Sequence, residues 1–290
     1  MLFRTLAEGD LGRVLTCLDD PGRFERFLET GNYRPSWTWM AVDGDEIKGF
    51  AVWWGFPTGE RPLALDTLWA APEVDDPVGL WAALIRQVPP PFEYHIFTSP
   101  GREKTPEVTL RLAAAELAGL GEVNERLRYE WTADHPLPPR STRLTFRPEP
   151  DDEAFAAVFA AISEGSLDVA TREGVARLGA LAHAREDVAF YQQMRGRRDW
   201  WRLAFDSAGR IVGVALPSAN DGGPVVGYLG VVPEQRGHGY ADDLLAEITH
   251  LLAGDGATTI RADTDRVNKP MAASFDRVGY RVFATRIVAS

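Results

Sequence analysis

The residues best suited to chemistry in this sequence lie in one short turn, RGHGYA, at residues 236–241. Gly237 and Gly239 lack a Cβ, which permits unusual φ values and a close approach of main chain to a ligand. Arg236 supplies a fixed positive charge. If a helix begins here, its unpaired N–H groups and partial positive charge favour an anion, and phosphate is the obvious candidate. The alternative is an ordinary strand-to-helix connection, in which the glycines only turn the chain.

The elements on either side of the turn are predicted as a strand and a helix. Leu229 and Val231 suit a buried strand, which Pro233 should end because proline has no N–H for a neighbouring strand. Apolar residues then recur every three or four positions over residues 241–252, as on the buried face of a helix. The sequence has no G-x-x-x-x-G-K-[ST] segment, and the pattern G-x-G-x-x-G fails because Asp242 replaces its third glycine.

The segment VVPEQRGHGYA resembles the acyl-CoA-binding signature of the GNAT acyltransferase superfamily, whose core is [RQ]-x-x-G-x-[GA]. Arg236, Gly239 and Ala241 occupy the three specified positions. One strand further on, residues 268–280, NKPMAASFDRVGY, resemble the second family block, N-x-x-A-x-x-L-Y-x-x-x-G-[FY]. The resemblance is specific over about the last third of the chain, and it implies an N-acyltransferase whose acyl donor is acetyl-CoA.

The resemblance also implies a role for each part of this region. The backbone of Leu229 would meet the thioester oxygen, that of Val231 would pair with the pantetheine arm, and the amides of the turn would hold pyrophosphate. Asn268 would face the cofactor arm or cap the helix that follows it, and these roles are compatible. The candidate cofactor contacts are Leu229, Val231, Val232, Arg236, Gly237, His238, Gly239, Tyr240, Ala241, Asn268 and Phe275, and the candidate catalytic residues are Tyr228 and Asn268.

The acid and the base of an acyl transfer are not evident in the sequence. The thiolate-protonating tyrosine of the family falls on Phe275, and its usual glutamate falls near Val225. Substitutes by location alone are Tyr228, His238, Asp221 and Asp263, each of which also suits a packing, turn or surface role. An acyl-CoA-dependent N-acyltransferase therefore stands beside two alternatives, a catalytically idle acyl-CoA-binding regulator and a purely structural protein.

Composition sets outer bounds on the class of protein. The 290 residues, 45% of them hydrophobic, predict two globular domains. The single cysteine, Cys17, excludes an intrachain disulfide and a cysteine-based zinc site, and no metal is expected. A net charge of −11 argues against nucleic acid and is compatible with a cationic amine acceptor, either a small molecule or a peptide. Without a long apolar segment or a signal-peptide pattern, we expect a cytoplasmic monomer or homodimer without membrane contact.

The order of predicted elements begins again after a proline-rich linker at residues 134–139, which indicates an internal duplication. Residues 37–52 recur with one insertion as residues 200–216, and LWAAPE recurs as LGVVPE. In this alignment Asp75 and Asp76 fall on the arginine and the first glycine of the turn, where two carboxylates would repel pyrophosphate. The first copy is thus predicted to keep the scaffold and to have lost the anion site.

Each copy is predicted as strand, helical region, hairpin, strand, helix, strand, helix and strand, which is the order of the GNAT fold. The expected class is α/β (α+β), with two tandem GNAT-like domains, each a mixed, mostly antiparallel sheet flanked by helices. Residues 1–139 form the degenerate domain and residues 140–290 the domain with the acyl-CoA site, a layout similar to the mycothiol synthase family. The helical segment 151–198 would wall the acceptor pocket, and its RGRR cluster is a solvated turn or a contact for an anion.

Overall fold

The computed structural model describes all 290 residues and divides into two compact units. The first unit consists of Met1–Glu125 and Arg286–Ser290, and the second consists of Arg126–Thr285. The boundary predicted at residue 139 therefore falls within the second unit.

Nine helices and twelve strands follow one another along the chain. From the first part these are β1 (Leu2–Thr5), α1 (Leu11–Leu15), α2 (Pro21–Glu29), β2 (Thr38–Asp43), β3 (Glu46–Trp54), β4 (Ala64–Ala70), α3 (Pro77–Ile85), β5 (Glu93–Thr98), α4 (Pro106–Ala118) and β6 (Val123–Thr132). They continue with β7 (Thr145–Pro148), α5 (Asp152–Ser163), α6 (Val169–Leu178), α7 (Ala180–Gln193), β8 (Arg202–Phe205), β9 (Ile211–Asn220), β10 (Gly223–Val231), α8 (Tyr240–Gly254), β11 (Thr259–Asp265), α9 (Lys269–Val278) and β12 (Arg281–Ala289).

The first unit is a mixed sheet in the order β1-β2-β3-β4-β5-β12, covered by helices. Neighbouring strands are antiparallel from β1 to β4, whereas β4 and β5 are parallel. Strand β3 is buried on both faces, so its sequence reads as a continuous apolar run rather than an alternating one. Phe50 and Val52 belong to one apolar cluster, and Ala51 and Trp53 belong to another, as the two-residue period of a strand requires.

The second unit has the strand order β12-β6-β11-β10-β9-β8-β7. Antiparallel pairs dominate here too, with one parallel pair between β10 and β11. One apolar cluster includes Leu244 and Ile248 of α8, and a second includes Phe155 and Phe159 of α5. The predicted mixed sheet flanked by helices is confirmed. No helix of the structure combines the length and the apolar character needed to cross a membrane.

Strands β6 and β12 each run through residues of both units. Within the second unit, β6 pairs with β11 from Thr132 opposite Thr259 to Arg126 opposite Asp265. Within the first unit, the last residues of β12 contribute Ile287 and Ala289 to the apolar core. The last strand of each sequence copy, β6 or β12, therefore contributes residues to the sheet of the other copy. The duplication in the sequence did not predict this exchange.

Most longer helices begin where a side chain accepts a backbone N–H. Asp20, Asp76 and Asp168 perform this role for α2, α3 and α6, because a carboxylate at this position takes an N–H that the helix leaves unpaired. Helix α8 differs, since its first flanking residue, Gly239, offers no capping side chain. The helix predicted to follow the turn is confirmed, and it starts at Tyr240.

Candidate functional site

Strand β10 diverges from its parallel neighbour β11 near the start of β10. The parallel ladder between them consists of a single pair, Val225 opposite Arg261. On its other side β10 stays paired with β9 as far as Val231, apart from a register shift between Val226 and Tyr228. This irregularity is a β-bulge, and beyond Val225 one edge of β10 has no strand partner.

The alternation of peptide groups along β10 decides which of them face the open edge. Val232 N–H donates to Val212 O of the neighbouring chain segment at 2.9 Å, so the peptide groups of Val232 and Gly230 point toward β9. Those of Leu229 and Val231 point the opposite way. The amides of Leu229 and Val231 thus face the open edge as hydrogen-bonding groups, whereas Val232 is buried and its N–H is already used.

The turn that follows β10 holds two glycines in the left-handed region, Gly237 at φ 81° and Gly239 at φ 74°. A side chain in this conformation costs roughly 1–2 kcal/mol, which explains the glycines. The backbone amides of residues 237–241 donate no hydrogen bond within the protein. Five consecutive unpaired amides, at and just before the start of a fifteen-residue helix, form a set of donors of the kind that binds anions.

Arg236 holds this turn through backbone carbonyls. Its Nε donates to Val231 O at 3.1 Å, and its two terminal nitrogens donate to Glu164 O at 2.6 Å and Ile162 O at 2.7 Å. The guanidinium therefore connects the turn to the end of β10 and to the end of α5. The positive charge of Arg236 lies at the turn, as the sequence predicted. All of these hydrogen bonds go to backbone carbonyls, so the side chain also fixes the backbone around the turn.

Arg143, which sequence reasoning missed, is a second cation at the turn. Its Nη1 donates to His238 O at 2.9 Å, its Nη2 pairs with Asp243, and its guanidinium lies 4.8 Å from the centre of the Tyr240 ring. No sequence motif contains Arg143, because it lies almost a hundred residues before the turn.

Two carboxylates in the first turn of α8 are neutralised by arginines. Asp242 accepts hydrogen bonds from Ser274 Oγ at 2.6 Å and from Arg277 Nε at 2.7 Å, and Asp243 pairs with Arg143. Burial favours the neutral form of Asp242, but the bonds from Arg277 and Ser274 outweigh it and lower the pKa of this carboxyl. Neither carboxylate therefore prevents an anion from binding at the turn.

The corresponding helix of the first unit, α3, has no such donor surface. Its flanking residue Asp76 accepts the N–H of Gly79 at 2.9 Å, and its first residue, Pro77, has no N–H. A carboxylate of the chain itself occupies the place of the anion. This supports the prediction that the first copy has lost the anion site.

An aromatic wall formed by Phe159, Tyr191 and Tyr228 lies beside the bulge. The Tyr228 ring stacks on Phe159 with centroids 4.2 Å apart and meets Tyr191 edge-on at 6.1 Å. The Tyr191 hydroxyl donates to Gly227 O at 2.8 Å, so α7 is fastened to the bulged residue. Burial, and then the nearby carboxylate of Asp187, raise the pKa of both tyrosines, which are therefore neutral phenols at physiological pH.

The residues of the second sequence block are placed mainly by helix α9. Asn268 flanks the helix start and accepts the N–H of Met271 at 3.3 Å, so its capping role is confirmed. Phe275 is only 2% exposed and stacks on Tyr129 with ring centroids 4.7 Å apart. It therefore presents almost no surface to a ligand.

The other substitutes proposed for acid and base are held in local contacts. Asp263 accepts from Arg126 Nε at 2.9 Å, and Asp221 pairs with Arg195 at 2.5 Å. The His238 ring lies in the turn, with Nδ1 3.2 Å from Gln235 O. Arg197 and Arg198 pair with Asp199 and Asp152, so the arginines of the RGRR cluster all have carboxylate partners, as in a solvated turn. No group of three His, Cys, Asp or Glu side chains could hold a metal ion.

Comparison with known proteins identifies the class to which this architecture belongs. Residues 167–280 match the model of the acetyltransferase (GNAT) family. A GCN5-related N-acetyltransferase from Sphaerobacter thermophilus shares the fold with a TM-score of 0.63 and 18% identity, over 99% of this chain and 94% of that one. A tandem GNAT protein from the clavulanic acid biosynthesis pathway has a TM-score of 0.53 and 16% identity, over 99% and 97% of the two chains. A search of curated proteins gave no match.

The chain as a whole thus has the fold of tandem GNAT proteins. Its second copy contains the β-bulge in β10, the divergence of β10 from β11 and the glycine turn. The match to the GNAT family model over residues 167–280 confirms the resemblance noted in the sequence.

Proposed function

We propose that this protein is an acyl-CoA-dependent N-acyltransferase that moves an acetyl group from acetyl-CoA to an amine. The observation that carries the proposal is the run of five unpaired amides at residues 237–241, placed directly after the open edge of β10. A pyrophosphate fits the amides, and an extended amide-bearing arm fits a strand edge.

The residues have separate tasks in this proposal. The turn amides bind pyrophosphate, and Val231 N–H pairs with the pantetheine arm. Leu229 N–H lies nearer the bulge and donates to the thioester oxygen, where negative charge grows as the amine attacks. Arg236 holds the start of the turn in place, because its guanidinium donates to the carbonyls of Val231, Glu164 and Ile162. The thioester supplies an activated acyl group, and the amine supplies the nucleophile.

Isothermal titration with acetyl-CoA tests the binding part of the proposal. We expect one site per chain, because the helix start of the first unit is capped by its own Asp76. Two sites of similar affinity would contradict the assignment to the second copy alone, and no binding would contradict the proposed function.

An idle acyl-CoA-binding protein is the second candidate, favoured by the burial of Phe275 where the family has a tyrosine. Release of free CoA thiol in the presence of a panel of amines separates the two candidates. Amine-dependent release supports the enzyme, whereas binding without release supports the regulator. Thiolate departure without a tyrosine is chemically tolerable, since an ordinary thiol has a pKa of about 8.5.

A further inference from the structure

Helix α7 presents three polar side chains in one line beside the aromatic wall. His183, Asp187 and Tyr191 are four residues apart, which places them on one face of the helix at intervals of about 6 Å. At one end of this line the Tyr191 hydroxyl donates to Gly227 O in the bulge of β10. Asp187 therefore lies one helical turn from Tyr191, which contacts β10 two positions before Leu229, the residue whose N–H is assigned to the thioester oxygen.

Asp187 is a partly buried carboxylate with little compensating charge. His183 Nε2 lies 3.5 Å from its Oδ2, while Glu186 on α7 and Asp168 at the start of α6 add negative charge. Burial raises the pKa of Asp187 to about 6; His183 opposes this effect, and the two other carboxylates add to it. At neutral pH the carboxylate is still ionised, and it is a stronger base than an exposed aspartate.

The hydroxyl of Tyr228 faces the same region from β10. It makes no hydrogen bond with the protein, whereas the hydroxyl of Tyr191 does. Burial, and then the negative charges of Asp187 and Asp168, raise its pKa, and its ring lies 6.1 Å from that of Tyr191, one helical turn along α7 from Asp187. A ligand ammonium suits this arrangement, because it carries three N–H donors and a positive charge. A ligand carboxylate would be repelled by Asp187, whereas Asp168 is paired with Arg126 at 3.1 Å.

We infer that Asp187 binds the ammonium group of the acceptor and accepts a proton from it, and that the acceptor is an apolar primary amine without a carboxylate beside the nitrogen. This inference rests on the proposed acyltransferase function and names the substrate class of the same site. The rings of Phe159 and Tyr228 supply apolar surface and faces that attract a cation.

The bond and proton changes of the acyl transfer involve only Asp187, the ammonium group of the acceptor and the thioester. One ammonium proton passes to Asp187, and the freed nitrogen lone pair attacks the thioester carbon. The C–N bond forms, the C–S bond breaks, and a second proton of the nitrogen goes to the departing sulfur. Asp187 then returns its proton to solvent. The products are the amide and free CoA thiol.

The experiment compares wild type, Asp187→Asn and a control, Asp199→Asn, which makes the same substitution at an exposed, ion-paired aspartate. The probes are 2-phenylethylamine and phenylalanine, which differ only by the carboxylate beside the nitrogen. We expect wild type to prefer the amine in kcat/KM by at least about a hundredfold, because Asp187 repels the carboxylate of phenylalanine. Asp187→Asn should lose roughly 10²–10³-fold in kcat/KM and the rise of kcat/KM between pH 5 and 7, as for removal of a general base.

Calorimetry on the CoA complex separates this inference from the function on which it rests. Binding of 2-phenylethylamine should weaken at least about tenfold in Asp187→Asn, as for a lost charged hydrogen bond, while binding of uncharged 2-phenylethanol should not change. Asp187-dependent amine binding without turnover would refute the acyltransferase and keep the ammonium site. Three results would each overturn the inference. The first is turnover or amine binding that is unchanged in Asp187→Asn. The others are a wild type that prefers phenylalanine and a wild type that binds neither amine.

Discussion

Replacing Arg236 by lysine separates two roles that an arginine at the turn can have. Lysine keeps the positive charge but reaches one carbonyl at a time, whereas Arg236 donates to three carbonyls at once. Two hydrogen bonds of about 1 kcal/mol each are then lost, which predicts about 2 kcal/mol of destabilisation. For a unit of this size the melting temperature should fall by roughly 4–8 °C.

The same substitution should weaken acetyl-CoA binding, because the turn amides are no longer held in the binding geometry. If binding must restore that order, up to about 2 kcal/mol is lost, which corresponds to roughly a thirtyfold rise in Kd. Differential scanning calorimetry and isothermal titration measure the two effects. Arg140→Lys is the control, since Arg140 is 68% exposed and makes only a 3.6 Å ion pair with Glu247. Wild-type affinity in Arg236→Lys, together with lost affinity in Arg236→Ala, would show that only the charge matters.

Three further substitutions test other parts of the site. Gly239→Val should strain the left-handed turn and weaken acetyl-CoA binding more than tenfold, as measured by isothermal titration. The control is Gly209→Val, at φ 76° in another turn of the same unit, which should lower stability as much as Gly239→Val but leave the affinity for acetyl-CoA unchanged. Phe275→Tyr should lower stability by about 1–3 kcal/mol without raising turnover, because its hydroxyl would enter the packed interface with Tyr129; a gain in turnover would place Phe275 beside the sulfur instead. Because the pKa of Asp187 is raised to about 6, protonation of this carboxyl should contribute up to about 3 kcal/mol of stability as pH falls from 7 toward 4. Carboxyls with a lowered pKa, such as Asp242, act in the opposite direction, so the contribution is the difference between denaturant titrations of wild type and of Asp187→Asn. A difference that stays constant over this pH range would refute the shift.

Features that depend on neighbouring residues were predictable from the sequence. The end of β10, the turn and the start of α8 are encoded by a proline, two glycines and a run of periodic apolar residues within about 25 positions. The capping role of Asn268 was predictable for the same reason, since a cap acts on an amide three residues away. Local sequence therefore predicted where the glycine turn and the start of α8 would lie.

Features that depend on distant residues were not predictable. Arg236 bonds carbonyls about seventy positions earlier, and Arg143 reaches a turn almost a hundred positions later. Asp187 gains its raised pKa first from burial and then from Asp168, which lies at the start of another helix, and from its neighbour Glu186; burial and the contact with Asp168 depend on the fold. The assignments of Leu229, Val231 and the turn amides to acetyl-CoA stay predictions, as do the domain boundary at residue 139 and the oligomeric state.

The path of β12 has a consequence for biosynthesis. Residues 286–290 complete the core of the first unit, although its other residues end at Glu125. At a synthesis rate of about 5–20 residues per second, the first unit waits roughly 8–30 s for its last strand segment. During this interval the strand edge next to β5 is unpaired and exposed, which is the state most open to pairing with another nascent chain. A ribosome-bound chain stalled before residue 286 should therefore be a better chaperone substrate than the released protein.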